Sequence, residues 1–160
     1  MAYKVIEGGS ITSPKGFLAG ACYVGVKSRK SDKPDVAILY SQEPASCAAL
    51  FTTNKFCAAP VLLGREVLKK GKARAVVINS GNANAATGEQ GLANAKKVEL
   101  LAEELLGLGE DEVFVSSTGV IGQQLPVEKV LEGVRRIVPN MTVEQGTDAA
   151  WAIMTTDLAK

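Results

Sequence analysis

The sequence predicts an α/β protein that forms one domain over residues 1–160. Continuous apolar runs rich in β-branched residues at 73–80 and 113–116 predict strands. Apolar residues recurring with a period of 3.6 at 89–106 and 126–138 predict amphipathic helices that follow these strands. Hydrophobic residues make up 46% of the chain, which is typical of a globular domain with a sizeable core.

Shorter patterns predict the remaining elements of the chain. Strands are expected at 3–6, 17–26, 36–40 and 46–51, and helices at 65–70 and 143–150. A further strand end is expected at 153–157, where an apolar pair is followed by hydroxyl residues. Thr142, with Gln145 three residues later, resembles a capping box for the 143–150 helix.

Composition excludes several classes of protein. The net charge is +1 with basic residues scattered, so nucleic acid is not an expected partner. No apolar run approaches the roughly 18 residues of a membrane span, and no signal peptide precedes the first strand, so a cytoplasmic location is expected. The three cysteines, Cys22, Cys47 and Cys57, lack metal-site spacing and are expected to be buried free thiols, with no metal bound.

The chain contains no histidine, which limits its possible chemistry. Neither a Ser-His-Asp nor a Cys-His catalytic pair can form within it. An acyl transferase would need another base, and one known solution is an N-terminal Thr whose own α-amine takes the hydroxyl proton. Because the chain begins with Met1, such a nucleophile is expected on another chain or beyond Lys160.

The strand at 113–116 ends in hydroxyl residues followed by a glycine. The Thr118 hydroxyl and the Gly119 N–H could point together at one developing negative charge, as in an oxyanion hole. The alternative is that Ser117 or Thr118 simply caps a following helix. A second loop, after the 73–80 strand, carries Asn82 and Asn84 among small residues, either lining a pocket or supporting the fold.

Five motifs, in this order, resemble one family. They are Ser-Pro-Lys-Gly-Phe at 13–17, Phe-Thr-Thr-Asn at 51–54, Asn-Ser-Gly-Asn-Ala-Asn-Ala at 79–85, Ser-Thr-Gly-Val-Ile-Gly at 117–122 and Ile-Met-Thr-Thr-Asp at 153–157. Together they resemble the bifunctional ornithine acetyltransferase / N-acetylglutamate synthase family of arginine biosynthesis. The resemblance covers essentially the whole chain.

The resemblance implies layered α/β architecture, with mixed β-sheets sandwiched by helices and completed by a second chain. It implies a precursor that cleaves itself into α and β chains, the β chain beginning with a nucleophilic Thr. The cleavage motif Ala-Thr-Met-Leu is not present, so the sequence resembles most of an α chain that is inactive by itself.

The same resemblance implies specific roles and partners. Thr118 and Gly119 correspond to the oxyanion hole, and Thr155 or Thr156 to the substrate-binding threonine. Acetyl passes from N-acetylornithine to glutamate without a cofactor, and the α and β chains assemble as α2β2 or a higher oligomer. Two alternatives remain open: a self-processing N-terminal-nucleophile aminopeptidase or amidohydrolase of similar fold, and a non-catalytic small-molecule-binding domain.

Overall fold

The computed structural model describes residues 5–27 and 33–155. In these ranges the elements are β1 (Phe17–Cys22), β2 (Val36–Ser46), α1 (Ala59–Leu68), β3 (Lys72–Asn82), α2 (Gly88–Leu106), β4 (Val113–Val120), α3 (Val127–Ile137), a 3-10 turn (Val138–Asn140) and α4 (Gly146–Ile153). No helix in this part of the chain is long and apolar enough to cross a membrane.

The four strands form one mixed sheet in the order β1-β2-β3-β4. The first three strands are antiparallel, and β4 lies parallel to β3, with α2 as the crossover between them. Helices pack on both faces of this sheet, α2 and α3 on one and α4 on the other. The predicted α/β class, with a mixed sheet between helices, is confirmed.

Side chains of alternate strand residues divide the core between the two faces. Ile38 and Val77 point to the face covered by α2 and α3, where they meet Val98 and Val134. The opposite face is lined by small residues where α4 lies on it. The sheet contributes Ala19 and Ala37 to this contact, and α4 contributes Ala149 and Ala152. The small size of these residues lets helix and sheet approach closely.

Four predicted boundaries are wrong for local physical reasons. β1 stops at Cys22 because the buried Asp35 carboxylate accepts the N–H groups of Val24 and Lys27, which turns the chain out of the sheet. Residues 47–51 form no strand, since β2 already ends at Ser46 after a register shift beyond Tyr40.

Two helices also begin at different residues from those predicted. α1 begins at Ala59 because Pro60 suits the first helical turn. α4 begins at Gly146, and Gln145 donates to the Asn140 carbonyl instead of completing a capping box. Ile153 ends α4, so no strand forms at 153–155.

Predictions near the two ends of the chain have a divided outcome. Of the strand predicted at 3–6, residues 5–6 are not in a strand, and residues 3–4 lie outside the described ranges. Residues 156–157 also lie outside them, and with them Thr156.

The helix-cap interpretation of Ser117 and Thr118 is wrong. Strand β4 continues through both residues to Val120, and the next helix begins only at Val127. Thr118 and Gly119 are therefore strand residues whose positions are set by pairing with β3.

An unusual feature of α2 is the fully buried carboxylate of Glu99. The Lys96 ammonium lies 2.8 Å from Oε2 of Glu99, and no other described donor reaches either oxygen. Burial raises the pKa of Glu99, while the charge of Lys96 opposes the shift. Lys96 therefore offsets only part of the free-energy cost of burying the ionised Glu99 carboxylate.

This carboxylate predicts a pH-dependent effect of Glu99→Gln. A carboxyl whose folded pKa is raised stabilises the fold below its usual pKa of 4.5 and loses that contribution as the pH rises through the folded value. The free energy of unfolding of the variant relative to wild type should therefore increase from pH 4 to pH 7. Urea unfolding of the complete protein measures it, with the exposed Glu104→Gln as control. A difference that stays constant with pH would contradict the prediction.

Candidate active site

Thr118 and Gly119 lie at the carboxyl end of β4, beside the end of β3. The parallel register pairs Thr118 with Ser80 and Gly119 with Gly81. Thr118 is half-buried, whereas Gly119 is exposed. Carboxyl ends of adjacent parallel strands are a common position for ligand sites in α/β proteins.

The hydrogen-bond ladder gives the direction of the Gly119 N–H. The Ala75 N–H donates to the Glu112 carbonyl, and the Ala83 N–H to the Val120 carbonyl. Between these bonds, even-numbered β4 residues direct their backbone groups toward β3. Gly119 is odd-numbered, so its N–H points away from β3 and is not used by this ladder.

Three chain segments meet at Gly81, which contacts both Gly119 of β4 and Lys27. Gly119 has a φ of +135°, and a Cβ there would lie 2.3 Å from the carbonyl carbon of Gly81. Gly81 has a φ of +104°, and a Cβ there would lie 2.7 Å from Cγ of Lys27. Glycine is therefore required at both positions on conformational and steric grounds.

The Thr118 hydroxyl is available for a ligand. No residue of the described ranges hydrogen-bonds to it. Its side chain lies on the same face of the sheet as that of Ser80, whose Oγ donates to the Ala152 carbonyl of α4. The donor of Thr118 is thus free, while the neighbouring Ser80 donor is used internally.

The end of α4 is held against the same corner of the sheet. The Lys27 ammonium donates to the Met154 carbonyl at 2.9 Å, while the Lys27 stem contacts Gly81. Burial lowers the pKa of Lys27, and the charge of Lys33 acts in the same direction. Thr155, which follows Met154 and is exposed, is therefore placed near the ends of β3 and β4.

Asn82 and Asn84 are buried and bonded within the fold. Asn82 Nδ2 donates to the carbonyls of Gln123 at 3.1 Å and Gln124 at 3.3 Å. Asn84 Nδ2 donates to the Gly91 carbonyl at 2.8 Å, and its Oδ1 accepts the Thr87 hydroxyl. These contacts favour the fold-support alternative for both residues.

The cysteines are free and half-buried. Burial raises the pKa of the Cys22 thiol, which reduces its reactivity at neutral pH. Within residues 5–27 and 33–155, no group of Cys, Asp and Glu side chains is arranged to hold a metal ion.

An apolar groove of about 470 Å³ lies on the sheet face that carries Thr118. Its floor includes Leu39, Val76 and Phe114, and Ser116 lines it two residues before Thr118. Leu50, next to the groove-lining Ala49 and Phe51, is fully exposed. The groove therefore borders the Thr118 corner with exposed apolar surface.

The ArgJ family model matches residues 18–160, which include all of the elements described above except the first residue of β1. The chain belongs to the ArgJ family.

Sequence relatives and solved structures of the ArgJ family agree with this assignment. The "Arginine biosynthesis bifunctional protein ArgJ" of Caldanaerobacter subterraneus subsp. tengcongensis is 51% identical over 93% of the chain. The chain spans only 36% of that relative's length. A crystal structure of the ArgJ protein of Bacillus halodurans matches with a TM-score of 0.87 and 38% identity, covering 96% of this chain and 80% of that chain.

A second crystal structure is that of ornithine acetyltransferase from Mycobacterium tuberculosis in complex with ornithine. It matches with a TM-score of 0.89 and 40% identity, covering 96% of this chain and 83% of that chain. The solved chain is thus somewhat under half as long as the Caldanaerobacter ArgJ protein.

Sequence reasoning did not single out Lys27, Asn79 or Gly81. A signal for Gly81 was present, because Ser80-Gly81 and Thr118-Gly119 repeat a hydroxyl-glycine pair at the ends of two strands. Recognising it required knowing that β3 and β4 are adjacent and parallel.

Gly119→Ala should disrupt this corner. The new Cβ would overlap the Gly81 backbone, and the positive φ disfavours any L side chain, so we expect a loss of roughly 2–6 kcal/mol of stability. Thermal or urea unfolding measures it. Gly122→Ala is the matched control: its φ is +79° but no atom lies within 4 Å of the added Cβ, so only about 1–2 kcal/mol should be lost. Equal losses for both variants would show that the close approach has no energetic role.

Proposed function

We propose that the chain is the α-chain part of an ornithine acetyltransferase that passes acetyl from N-acetylornithine to glutamate. The observation that carries the proposal is the pair of donors at the end of β4, the unpartnered Thr118 hydroxyl and the Gly119 N–H directed away from β3. The ArgJ names of its relatives and the ornithine in the Mycobacterium structure support this substrate class.

The reaction would proceed in two half-reactions. The hydroxyl of an N-terminal Thr on a β chain attacks the acetyl carbonyl, and its α-amine takes the hydroxyl proton. Thr118 and Gly119 donate hydrogen bonds to the oxygen that becomes negative. The amine of ornithine leaves with a proton, and the amine of glutamate then attacks the acetyl-enzyme and regenerates the Thr. Acetyl is recycled directly, so no cofactor is required.

Two observations support a second chain from the same precursor. The chain covers 83% of the solved Mycobacterium chain but only 36% of the Caldanaerobacter ArgJ protein, as expected if the precursor is divided into two chains. The uncovered apolar groove beside Thr118 would be buried by that second chain. We propose an α2β2 or higher assembly in the cytoplasm, with residues 1–160 as most of the α chain.

The remaining candidate site residues are Thr155, Thr156, Asn82 and Asn84. Thr155, held near the corner by the Met154–Lys27 contact, is proposed to bind substrate, as is Thr156, which lies outside the described residues. Asn82 and Asn84 are proposed to shape the pocket from behind, because their side chains are engaged within the fold.

Thr118→Ala in the complete two-chain protein should lower kcat by roughly 10²–10³, about 2.7–4 kcal/mol of transition-state stabilisation. KM should change little, because the donor acts on charge that develops only in the transition state. Steady-state kinetics with N-acetylornithine and glutamate measures this, with Thr118→Ser, which retains a hydroxyl, as control.

Two results would overturn parts of this proposal. Wild-type turnover in Thr118→Ala would remove that residue from the oxyanion hole. Acetate release that does not depend on glutamate would indicate the hydrolase alternative instead of acetyl transfer.

A further inference from the structure

The end of β4 is held from behind by a buried asparagine that the proposed mechanism does not use. Asn79 is 2% exposed, and its Oδ1 accepts the Ser117 hydroxyl at 2.6 Å. Its Nδ2 donates to the Asn82 carbonyl at 2.8 Å. Both polar atoms of the side chain are therefore satisfied, so its orientation is determined on both sides.

The backbone of Asn79 contacts the same strand. Asn79 pairs with Ser117 in the parallel register. Because backbone hydrogen bonds alternate along the β3–β4 ladder, the Asn79 carbonyl accepts the Thr118 N–H. One residue of β3 thus holds two consecutive residues of β4, Ser117 through its side chain and Thr118 through its main chain.

A second attachment lies just beyond the site. Asn82 Nδ2 reaches the carbonyls of Gln123 and Gln124, so residues 118–122 are tethered at both ends to β3. The bond between Asn79 and Ser117 lies on the face opposite the Thr118 side chain and leaves the Thr118 hydroxyl free. This is the arrangement expected of a support for a ligand-contacting segment.

We propose that Ser117, held by the buried Asn79, is a positioning residue for the Thr118 donor; this rests on the proposed function of Thr118. In the described sheet β4 is an edge strand, so β3 is its only ladder partner. Without the Ser117 bond, β4 loses one of its two attachments to Asn79, and the strand end that carries the Thr118 hydroxyl can shift relative to the oxyanion. Misplacement by about 1 Å can cost a factor of up to about 10² in rate.

The test is a double-mutant cycle of Ser117→Ala and Thr118→Ala in the complete, processed two-chain protein. Ser117→Ala should lower kcat about tenfold with KM nearly unchanged. Ser117→Thr, which keeps the hydroxyl, should restore kcat. In the Thr118→Ala background, Ser117→Ala should have no further effect on kcat, because the donor that it positions is absent.

A control separates positioning from general destabilisation. Ile38→Ala, in the core and remote from the β4 end, should lower stability by about 2–5 kcal/mol without changing kcat per folded molecule.

Two kinds of result would overturn the inference, and they are distinguishable. If Thr118→Ala is impaired but Ser117→Ala either leaves kcat unchanged or lowers it equally in both backgrounds, positioning by Ser117 is wrong and the proposed function stands. If Thr118→Ala turns over at the wild-type rate, the role proposed for Thr118 fails and the inference fails with it.

Discussion

The contact between the Gly119 and Gly81 backbones is the constraint on which the candidate site depends. A Cβ at Gly119 would overlap the Gly81 backbone, so no side chain fits between β3 and β4 at this point. The contact fixes the relative position of the two strand ends, and Lys27 extends it to the segment after α4. Three distant parts of the chain thus converge here, two through backbone contact and the third through the Lys27 side chain.

Buried polar side chains reinforce this geometry. Asn79, Asn82 and Asn84 each bond to backbone groups or hydroxyls of neighbouring segments. A buried amide is costly unless all its partners are present, so such a network favours one arrangement of the chain over its alternatives. The Asn79 bond to Ser117 therefore lies on the face opposite the one that carries the free Thr118 hydroxyl.

Local patterns in the sequence were sufficient for much of the fold. The apolar runs of β3 and β4 predict those strands, because a strand buried on both faces needs consecutive apolar residues. The periodicity of α2 and α3 predicts those helices, because a helix buried along one stripe needs apolar residues every three to four positions. The strand predicted at 46–51 failed because its apolar residues line an open groove and do not pair in the sheet. Composition alone cannot distinguish these two situations.

The pairing of strands that are distant in the chain could not be predicted from the sequence. Thr118 and Gly119 could be selected because a hydroxyl beside a glycine is a local signal, and the helix-cap alternative required the structure to exclude it. Ser117 and Asn79 are separated by 38 residues, and their bond follows only from the parallel register of β3 and β4.

The position of β4 at the edge of the described sheet has a consequence for assembly. Any strand that joined this edge would take up the outward N–H groups of β4, including that of Gly119. A protein that keeps this donor for a ligand must therefore prevent sheet extension at Gly119. A partner that covers the neighbouring apolar surface therefore has to pack through side chains, without pairing its backbone to β4 at Gly119. A single hydrogen-bond donor thus restricts which interfaces this edge can form.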